Sequence, residues 1–421
     1  MKRFSKSMIA SALALAATTV LFAPLRAYAQ EPGGTDLAAF EADLFAGESG
    51  TSPAGFSTVP TSTFSDVART DYLVGGTVVA QAVAYFTSDL DSMTALSDIS
   101  GKLFAKVSVP DYGALYIAYN ARHAFFQAHS GSGAPPVAVD PYSPAYELAE
   151  LHYSFDVAKV LFVRIGNQLI SWGPSRIWSP VDFINLQKAD AFSSIDLRVG
   201  KPGLRLHMPL PRSNAFLFAD FANLVKDGGG GLTYGDPLES VNIGGRYDFT
   251  AGSFEFGLTG YAGKNAQARF GLDASGRLLG MTVYGELALR PEYASYGYSA
   301  QASAGFSRTL DELKRWTLSA EGFYNQLPVY EQIPLYQGKF YAYAALSASE
   351  LLSSSLSTTL SVISNLTDLS YSVKLAESFS FPRAVPFTLS VSFAGGGADK
   401  EFTRFAGDRA FSVSMSTRVE F

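Results

Sequence analysis

Phe-Ser-Val-Ser-Met-Ser-Thr-Arg-Val-Glu-Phe, running from Phe411 to Phe421, is the stretch that decides the fold class. Apolar side chains, with one threonine, occupy the odd positions, and serine, arginine and glutamate occupy the even positions. A period of two gives a β-strand one apolar and one polar face, which is the pattern of a membrane-barrel strand. Phe421 at its end is predicted to act as the assembly signal that the barrel-assembly machinery reads.

The same alternation recurs along most of the chain. The candidate segments run about 9–14 residues, which suits a tilted membrane strand better than the usual soluble strand of about five or six. We count about eighteen of them: 72–88, 101–109, 112–127, 145–156, 159–171, 195–211, 214–224, 240–249, 252–263, 266–274, 279–290, 297–308, 315–326, 339–350, 355–364, 368–379, 386–395 and 410–421. The sequence therefore predicts an all-β, antiparallel transmembrane barrel over residues 71–421.

The connections between these segments support a barrel with both termini in the periplasm. Long and short connections mostly alternate, as they do in outer-membrane barrels with short periplasmic turns and long outer loops. The weakest strands are 195–211, which contains Pro202 and Pro209, and the marginal 266–274. Loss or merging of a pair gives sixteen strands instead of the favoured eighteen, and either size leaves an interior wide enough for water.

The composition excludes several classes of protein. Charged residues make up only 17% of the chain, below the roughly 25% of a typical soluble domain. No cysteine is present, which excludes disulfides, thiolate metal sites and a cysteine nucleophile. The 32 basic and 38 acidic side chains include no basic block, so nucleic-acid binding is not predicted.

The N-terminus is predicted to be a signal peptide over residues 1–29. A basic start is followed by an apolar stretch from Met8 to Phe22, and Ala27 and Ala29 give the small-x-small pattern for cleavage before Gln30. Removing this part leaves about ten more acidic than basic side chains, since it carries four of the 32 basic residues and no acid. The mature chain is predicted to be exported to the outer membrane of a diderm (Gram-negative-type) bacterium, in contact with its lipid.

Residues 30–70 lack the strand pattern. They are rich in Gly, Ser, Thr, Pro and acid, with one short apolar–acidic motif from Asp36 to Phe45. We interpret them as a periplasmic N-terminal extension. The alternative is a plug that enters the barrel.

The polar faces of the strands carry charges of both signs. In a membrane barrel these faces line the lumen, because an isolated arginine is costly against lipid. The predicted lumen-lining residues are Arg122, Arg164, Gln168, Arg198, Arg205, Arg246, Glu255, Glu286, Arg290, Glu321, Lys374 and Arg418. These charges predict a hydrated path for polar solutes. The alternative is that they pair with one another and fill the interior.

Aromatic residues near strand ends suit the two interfacial girdles of a membrane barrel. Six tyrosines and tryptophans have this placement: Tyr146, Tyr153, Trp316, Tyr324, Tyr341 and Tyr343.

One long connection, 172–194, differs from the others. Prolines break regular structure near its start, and a cluster of apolar side chains follows, so it is too apolar to extend freely into water. Long loops are usually functional, and this one is predicted to fold inward and narrow the lumen. Its candidate constriction residues are Arg176, Trp178, Asp182, Asn185, Lys188 and Asp190. A loop packed on the outer rim is the alternative.

The sequence around this connection resembles a family signature. The run Gly-Asn-Gln-Leu-Ile-Ser-Trp-Gly (Gly166–Gly173), followed by Ser-Pro-Val-Asp-Phe-Ile-Asn (Ser179–Asn185), is similar to a G-x-Q-x-x-x-W-G and S-P-x-D-x-x-N segment of large bacterial outer-membrane barrels. That group resembles porin-like and polysaccharide-export barrels. The resemblance covers about twenty residues, makes Gln168, Trp172, Gly173, Pro180, Asp182 and Asn185 the hallmark positions, and implies a channel-type protein without naming its solute.

The leading functional hypothesis is a porin-like channel for passive diffusion of small polar solutes, with selectivity from lumen charges and the inward loop. A plugged transporter or exporter of a larger or hydrophobic ligand, and a structural or surface-interaction barrel, are the alternatives. An enzyme is not predicted, because the four histidines occur in none of the hydrolase, metalloprotease or phosphate-loop motifs. No cofactor or metal site is predicted, and the oligomeric state is left open.

Overall fold

The computed structural model describes most of the chain beyond residue 69. The described residues are 70–86, 93–130, 144–184, 195–222, 225–227, 232–234, 240–264, 266–291, 297–311, 313, 315–326, 336, 338–350, 353–380, 385–397, 400–406 and 411–421. The predicted signal peptide, with Ala27, Ala29 and Gln30, and nearly all of the extension 30–70 lie outside this set.

The described residues form an 18-stranded antiparallel barrel. Its strands are β1 (Asp71–Phe86), β2 (Met93–Val109), β3 (Gly113–Ser130), β4 (Ala145–Val157), β5 (Leu161–Gln168), β6 (Lys201–Leu210), β7 (Ser213–Asp220), β10 (Asn242–Ala251), β11 (Phe254–Gly263), β12 (Ala266–Leu278), β13 (Met281–Pro291), β14 (Tyr298–Thr309), β15 (Trp316–Asn325), β16 (Phe340–Ser349), β17 (Leu356–Asn365), β18 (Ser370–Phe379), β19 (Phe387–Gly395) and β20 (Phe411–Glu420). A small hairpin, β8 (Val225–Asp227) with β9 (Leu232–Tyr234), and the helix α1 (Glu401–Ala406) lie in the connections.

The barrel closes through a seam between β1 and β20. Their register runs from Thr77 opposite Glu420 to Phe86 opposite Phe411. Beyond the strand end, the Gly76 and Phe421 backbones exchange two hydrogen bonds of 3.0 and 3.2 Å. Closure leaves the barrel sheet without an edge, so each of its eighteen strands has a partner on both sides.

The prediction of eighteen strands is confirmed, and the differences lie at their ends. Strand β2 begins at Met93, so part of the predicted loop 89–100 is strand. The predicted strand 195–211 is regular only from Lys201. Residues before it bond elsewhere: the Asn120 amide donates to the Leu197 carbonyl (2.7 Å). Pro202, which has no N–H for the ladder, stands at the strand start, where proline is tolerated.

The two faces of the barrel are inverted relative to a soluble sheet. On β13, Leu289 is 42% exposed whereas Glu286 on the opposite face is 5% exposed. The same outward row includes Leu287, and the neighbouring strand β12 exposes Phe270 and Leu272. An apolar exterior with a polar interior is what a barrel in lipid requires.

The two ends of the barrel differ in the length of their connections. Turns such as 211–212, 252–253 and 279–280 are short, and the start of β1 and the end of β20 lie at this end. Connections at the other end include 169–200, 221–241 and 396–410. We call the two ends the short-turn end and the long-loop end. No helix among the described residues is long and apolar enough to cross a membrane.

Candidate functional site

The connection after β5 folds back along the inner wall of the barrel. We call its described first part, residues 169–184, the inner segment. Its side chains Ile170, Phe183 and Ile184 are almost fully buried against Phe218 of β7 and Tyr261 of β11. Because both wall residues face the interior, the segment lies inside the barrel. Burial of its apolar side chains is the driving force for this placement.

Glu286 of β13 binds the turn of the inner segment. Its carboxylate accepts hydrogen bonds from the backbone N–H of Ser175 (2.7 Å) and of Val181 (3.2 Å), and from the Ser179 hydroxyl (3.0 Å). Gly173 allows this contact: its φ is +97°, and a Cβ there would lie 2.4 Å from Glu286 Oε1. Only glycine combines that backbone conformation with so close an approach.

Glu321 of β15 binds the next residues of the segment. The backbone N–H groups of Arg176 (3.0 Å), Ile177 (3.2 Å) and Trp178 (2.7 Å) all donate to its carboxylate. The Tyr284 hydroxyl is a fourth donor, at 2.9 Å. Glu321 is 3% exposed, so this lumen-facing carboxylate is closed off from solvent by protein donors.

An aromatic cluster holds the tip of the inner segment. The Trp178 ring stacks on Phe323 of β15 with centroids 5.5 Å apart and an interplanar angle of 9°. Tyr341 of β16 and Tyr336 pack against the same indole, and Phe402 of α1 completes the cluster. We call these five residues the Trp178 cluster. It joins parts of three different connections on one side of the interior.

Helix α1 is tied to this cluster by Glu401. Its carboxylate accepts from the Tyr341 hydroxyl (2.6 Å), from the Asn365 amide (2.5 Å) and from the Tyr336 backbone N–H. Asp368, in the turn before β18, accepts from the Glu401 N–H at 2.7 Å. Burial opposes ionisation of Asp368, but hydrogen bonds from Glu401 and Ser370 outweigh it and hold the Asp368 pKa below its usual value.

The end of the same connection, residues 195–200, returns beside the inner segment. Arg198 binds Asp196 at 2.9 Å and lies 3.8 Å from Asp182. The Ser171 hydroxyl also donates to Asp182 (3.3 Å). Burial alone would raise the pKa of Asp196. Its hydrogen bonds and charge attraction to Arg198 outweigh this effect and lower the pKa below its usual value. These contacts tie the outgoing and returning parts of the connection together.

The space left beside the inner segment is a cavity of about 650 Å³. It lies near the short-turn end, because the turn residues Pro110 and Asp111 contribute to its lining. Arg164 of β5 and Arg205 of β6, which are direct cross-strand partners, both line it. Arg246 of β10 lines it too, but is paired with Asp248 (2.8 Å) and Asp273 (2.7 Å).

Three rings form a row beside these arginines. Phe162 and Phe216 flank His207, with ring centroids 5.8 and 4.3 Å from the imidazole. The guanidinium of Arg205 lies 5.1 Å from the Phe216 ring centroid. Phe162 is 42% exposed and lines the cavity, so the wall here is both basic and aromatic.

The structure divides the predicted lumen-lining residues into two groups. Eight retain accessible surface or line the cavity, or lie in the returning connection: Arg122, Arg164, Arg198, Arg205, Arg246, Glu255, Lys374 and Arg418. The other four face inward but are buried, and the prediction that they line open space is wrong for them: Gln168, Glu286, Arg290 and Glu321. Gln168 donates to the Gly203 carbonyl (3.3 Å), and Arg290 donates to Gln301 (3.2 Å).

The candidate constriction residues are placed differently from one another. Arg176 is exposed, whereas Trp178 and Asp182 are 2% and 3% exposed and make internal contacts. The prediction that the Asp182 carboxylate faces the pore is therefore wrong. This carboxylate is buried and forms an ion pair with Arg198. Asn185, Lys188 and Asp190 lie outside the described residues.

The predicted aromatic girdle needs a similar correction. Tyr146 and Tyr153 are exposed on the outer face. Tyr341, however, is 2% exposed inside the barrel, and Tyr343 of the same strand shares its inner face because the two are two residues apart. The alternation shows that these two tyrosines share one face of β16. That this face points into the barrel is known only from the structure.

Several contacts that shape this interior leave no sign in the sequence. Tyr284 reaches Glu321 across Gly305, where a Cβ would lie 2.6 Å from the tyrosine ring. Glu401 lies in a connection without strand pattern. Ser175, whose hydroxyl is 2.8 Å from that of Ser303, is likewise marked by no motif. Within the described part of the chain, no group of three His, Asp or Glu residues is arranged to hold a metal ion.

Comparisons with known proteins support the fold alone. No family model and no curated protein matches the chain. Among solved structures, OccK9 (OpdG) of Pseudomonas aeruginosa has a TM-score of 0.53 at 11% identity, over 83% of this chain and 98% of that one. OccAB1 of Acinetobacter baumannii has a TM-score of 0.52 at 10% identity, over 83% and 96%. OccK2 (OpdF) of P. aeruginosa, in complex with glucuronate, has a TM-score of 0.52 at 10% identity, over 83% and 98%.

Proposed function

We propose that this chain is a porin-like channel of the outer membrane of a diderm bacterium, through which small polar solutes diffuse passively. The observation that carries the proposal is the closed barrel with an apolar exterior, whose inner segment leaves a cavity of about 650 Å³ lined by charged side chains. A barrel of this strand number encloses more than its side chains fill. A non-enzymatic role is proposed, because the charged and polar side chains that line the cavity suit the passage of polar solutes.

The short-turn end is proposed to face the periplasm, and the long-loop end the outside. This orientation follows the general rule for outer-membrane barrels, in which the turns on the periplasmic side are short. In that orientation the cavity opens toward the periplasm, and the Trp178 cluster and α1 lie toward the outside. The strand β20 that closes the seam is the proposed contact for the barrel-assembly machinery.

The cross-strand pair Arg164 and Arg205 forms one basic side of the cavity, and we propose that this side binds anionic solutes. The same cavity also carries five carboxylates, those of Asp71, Asp111, Asp156, Asp248 and Glu255. Arg164 and Arg205 are adjacent across two strands, and like charges placed opposite each other repel unless an anion lies between them. Glu286 and Glu321 do not oppose this field strongly, because backbone N–H groups surround both carboxylates. One similarly folded protein was crystallised with glucuronate, an anionic sugar. A small carboxylate is the corresponding solute class here.

Single-channel recording in a planar lipid bilayer tests this function. The mature protein is expected to give steady steps, and Arg164→Ala with Arg205→Ala is expected to shift the reversal potential toward cation selectivity. Loss of one unit charge at about 4 Å from the ion path corresponds to about 1 kcal/mol in water, or about fivefold in the permeability ratio. Arg308→Ala is the matched control, since Arg308 is exposed near the end of β14, paired with outward Leu318.

Two results contradict the proposal. Folded, heat-modifiable protein that carries no current would indicate a plugged transporter or a structural barrel. In that case deletion of residues 30–70 decides between these two, because only removal of a plug restores current. Unchanged selectivity in the double arginine variant, with current retained, would refute the anion preference.

A further inference from the structure

Glu321 occupies a site that has the form of an anion-binding nest. Three successive backbone N–H groups, from Arg176 to Trp178, converge on one carboxylate. Concave sets of successive backbone N–H groups bind anions in many proteins. Here the anion belongs to the barrel wall and the nest to the inner segment.

The part of the inner segment around Glu321 has no regular backbone hydrogen bonding of its own. Pro174 and Pro180 carry no N–H, and the residues between them form no helix or strand. Trp178 is 2% exposed, so its backbone N–H has no access to water. A buried donor without an acceptor is costly, and hydrogen bonds to a charged acceptor are about twice as strong as neutral ones.

Tyr284 makes the site still more specific. Its hydroxyl crosses β14 above Gly305 to reach Glu321 Oε2 at 2.9 Å. The Trp178 indole stacks on Phe323, two residues further along β15. Glu321 thus binds the backbone of both Arg176, whose side chain is exposed, and Trp178, whose ring is buried.

We propose that Glu321 is the positioning residue of the constriction: its carboxylate sets where the inner segment lies and, through it, the width of the pore. A corollary follows from the nest. When the Glu321 carboxylate is removed, the three N–H groups form a vacant site for a small carboxylate from solution, and formate restores the position of the segment. The effect on pore width rests on the proposed channel function, whereas the position of Trp178 does not.

Fluorescence of Trp178 tests the position directly. In a background with Trp172→Phe and Trp316→Phe, Trp178 is the sole tryptophan, since the chain has three. Glu321→Gly is expected to raise acrylamide quenching of Trp178 about tenfold, because even one charged hydrogen bond changes an equilibrium by about this factor. Added formate is expected to reverse the change, and chloride at equal ionic strength is not.

Glu377→Ala is the matched control for loss of a carboxylate. Glu377 accepts from Thr358 (2.8 Å) near the end of β18 and has no contact with the inner segment. Its Trp178 quenching is expected to equal that of the parent, with or without formate. Quenching in Glu321→Gly that equals the parent, or that rises without response to formate, would overturn the proposal.

Glu321→Gln keeps the test usable if the glycine variant does not fold. The amide retains the shape of the side chain but replaces one acceptor oxygen by a donor facing backbone N–H groups. Quenching is expected to lie between the parent and full exposure. A glutamine variant identical to the parent would show that the charge is not needed and would overturn the proposal.

Conductance provides the second measurement and separates the two proposals. Glu321→Gly is expected to give larger, unsteady single-channel steps that become steady in formate. If the unaltered protein carries no current, the channel function fails while the Trp178 fluorescence still decides the role of Glu321. If the unaltered protein conducts and Glu321→Gly shows unchanged steps, Glu321 does not set the pore width.

Discussion

Two stretches of the inner wall carry charges of opposite sign and are used in opposite ways. On β13 and β15, Glu286 and Glu321 are enclosed by donors of the inner segment. On β5 and β6, Arg164 and Arg205 line the cavity. Both pairs occupy polar positions in strands whose polar and apolar residues alternate. The alternation therefore predicts the same lumen-facing placement for all four side chains. The difference shows that an inward charge is enclosed or faces the cavity according to whether a connection folds over it.

Gly173→Val is expected to have the largest effect, because it disrupts the contact between the inner segment and Glu286. The valine meets both an unfavourable φ of +97° and the Glu286 carboxylate, and the two costs together amount to about 4 kcal/mol. Urea unfolding of the barrel, followed by heat-modified gel mobility, measures this loss. Gly397→Val is the control, since its φ is +96° with no atom within 4 Å of an added Cβ. Equal losses in the two variants would show that the contact with Glu286 is unimportant.

The next largest effect on stability is expected at Arg246, which is compared with Arg164 of the same cavity wall. Arg246→Gln removes one partner from a buried ion-pair group and is expected to cost about 3 kcal/mol of unfolding free energy. Arg164→Gln, whose hydrogen bond to the Ser154 hydroxyl is long at 3.3 Å, is expected to change selectivity with little loss of stability. Denaturant titration and reversal potentials, measured on both variants, test this division of roles. The reverse ranking in stability would contradict the assignment of Arg164 to the solute path.

Asp182→Asn and Arg176→Gln distinguish the two charges of the inner segment. Asp182 is buried beside Arg198 at 3.8 Å, so its substitution is expected to cost about 1 kcal/mol of stability and to leave the reversal potential unchanged. Arg176 is exposed, so its substitution is expected to shift the reversal potential toward cations and to leave stability unchanged. A selectivity change in Asp182→Asn alone would restore the sequence-based view of this carboxylate.

The smallest effect is expected at α1 and depends on pH. Because the Asp368 pKa is lowered from its ordinary value of 3.8, its hydrogen bond to α1 contributes fully above pH 3.8 and is lost as pH falls through the lower folded value. Amide exchange at Glu401, corrected for its intrinsic rate, is expected to quicken as pH falls below about 3.8. Asp368→Asn is expected to abolish this pH dependence. Persistence of the dependence in that variant would assign it to another group.

The sequence predicted the barrel well because its strands obey a simple rule. In β20, and in β13 and β19, polar and apolar residues alternate over most of the strand, and membrane barrels require this alternation. The apolar side chains after Trp172 also correctly indicated a connection that avoids water.

The roles of Glu286 and Glu321 lay beyond such reasoning. Most of their donors are backbone N–H groups more than a hundred residues away along the chain, and backbone groups leave no mark in a sequence. Gln168 was assigned to the lumen by its parity, yet it is fully buried because residues 195–200 return over it: a Cβ on Gly200 would lie 2.4 Å from the Gln168 backbone. In all three cases, contacts with an irregular segment of the chain determine that the side chain is buried.

The seam between β1 and β20 has a consequence for the timing of folding. The first strand of the barrel pairs with its last, so the two partners lie at opposite ends of the polypeptide and the loop that closes them is the longest one available. Folding rates fall as contacting residues become more distant along the chain. Until β20 arrives, β1 presents an open edge, and open edges invite pairing with other chains. The interval before the seam closes is therefore the period in which this protein most needs protection from aggregation.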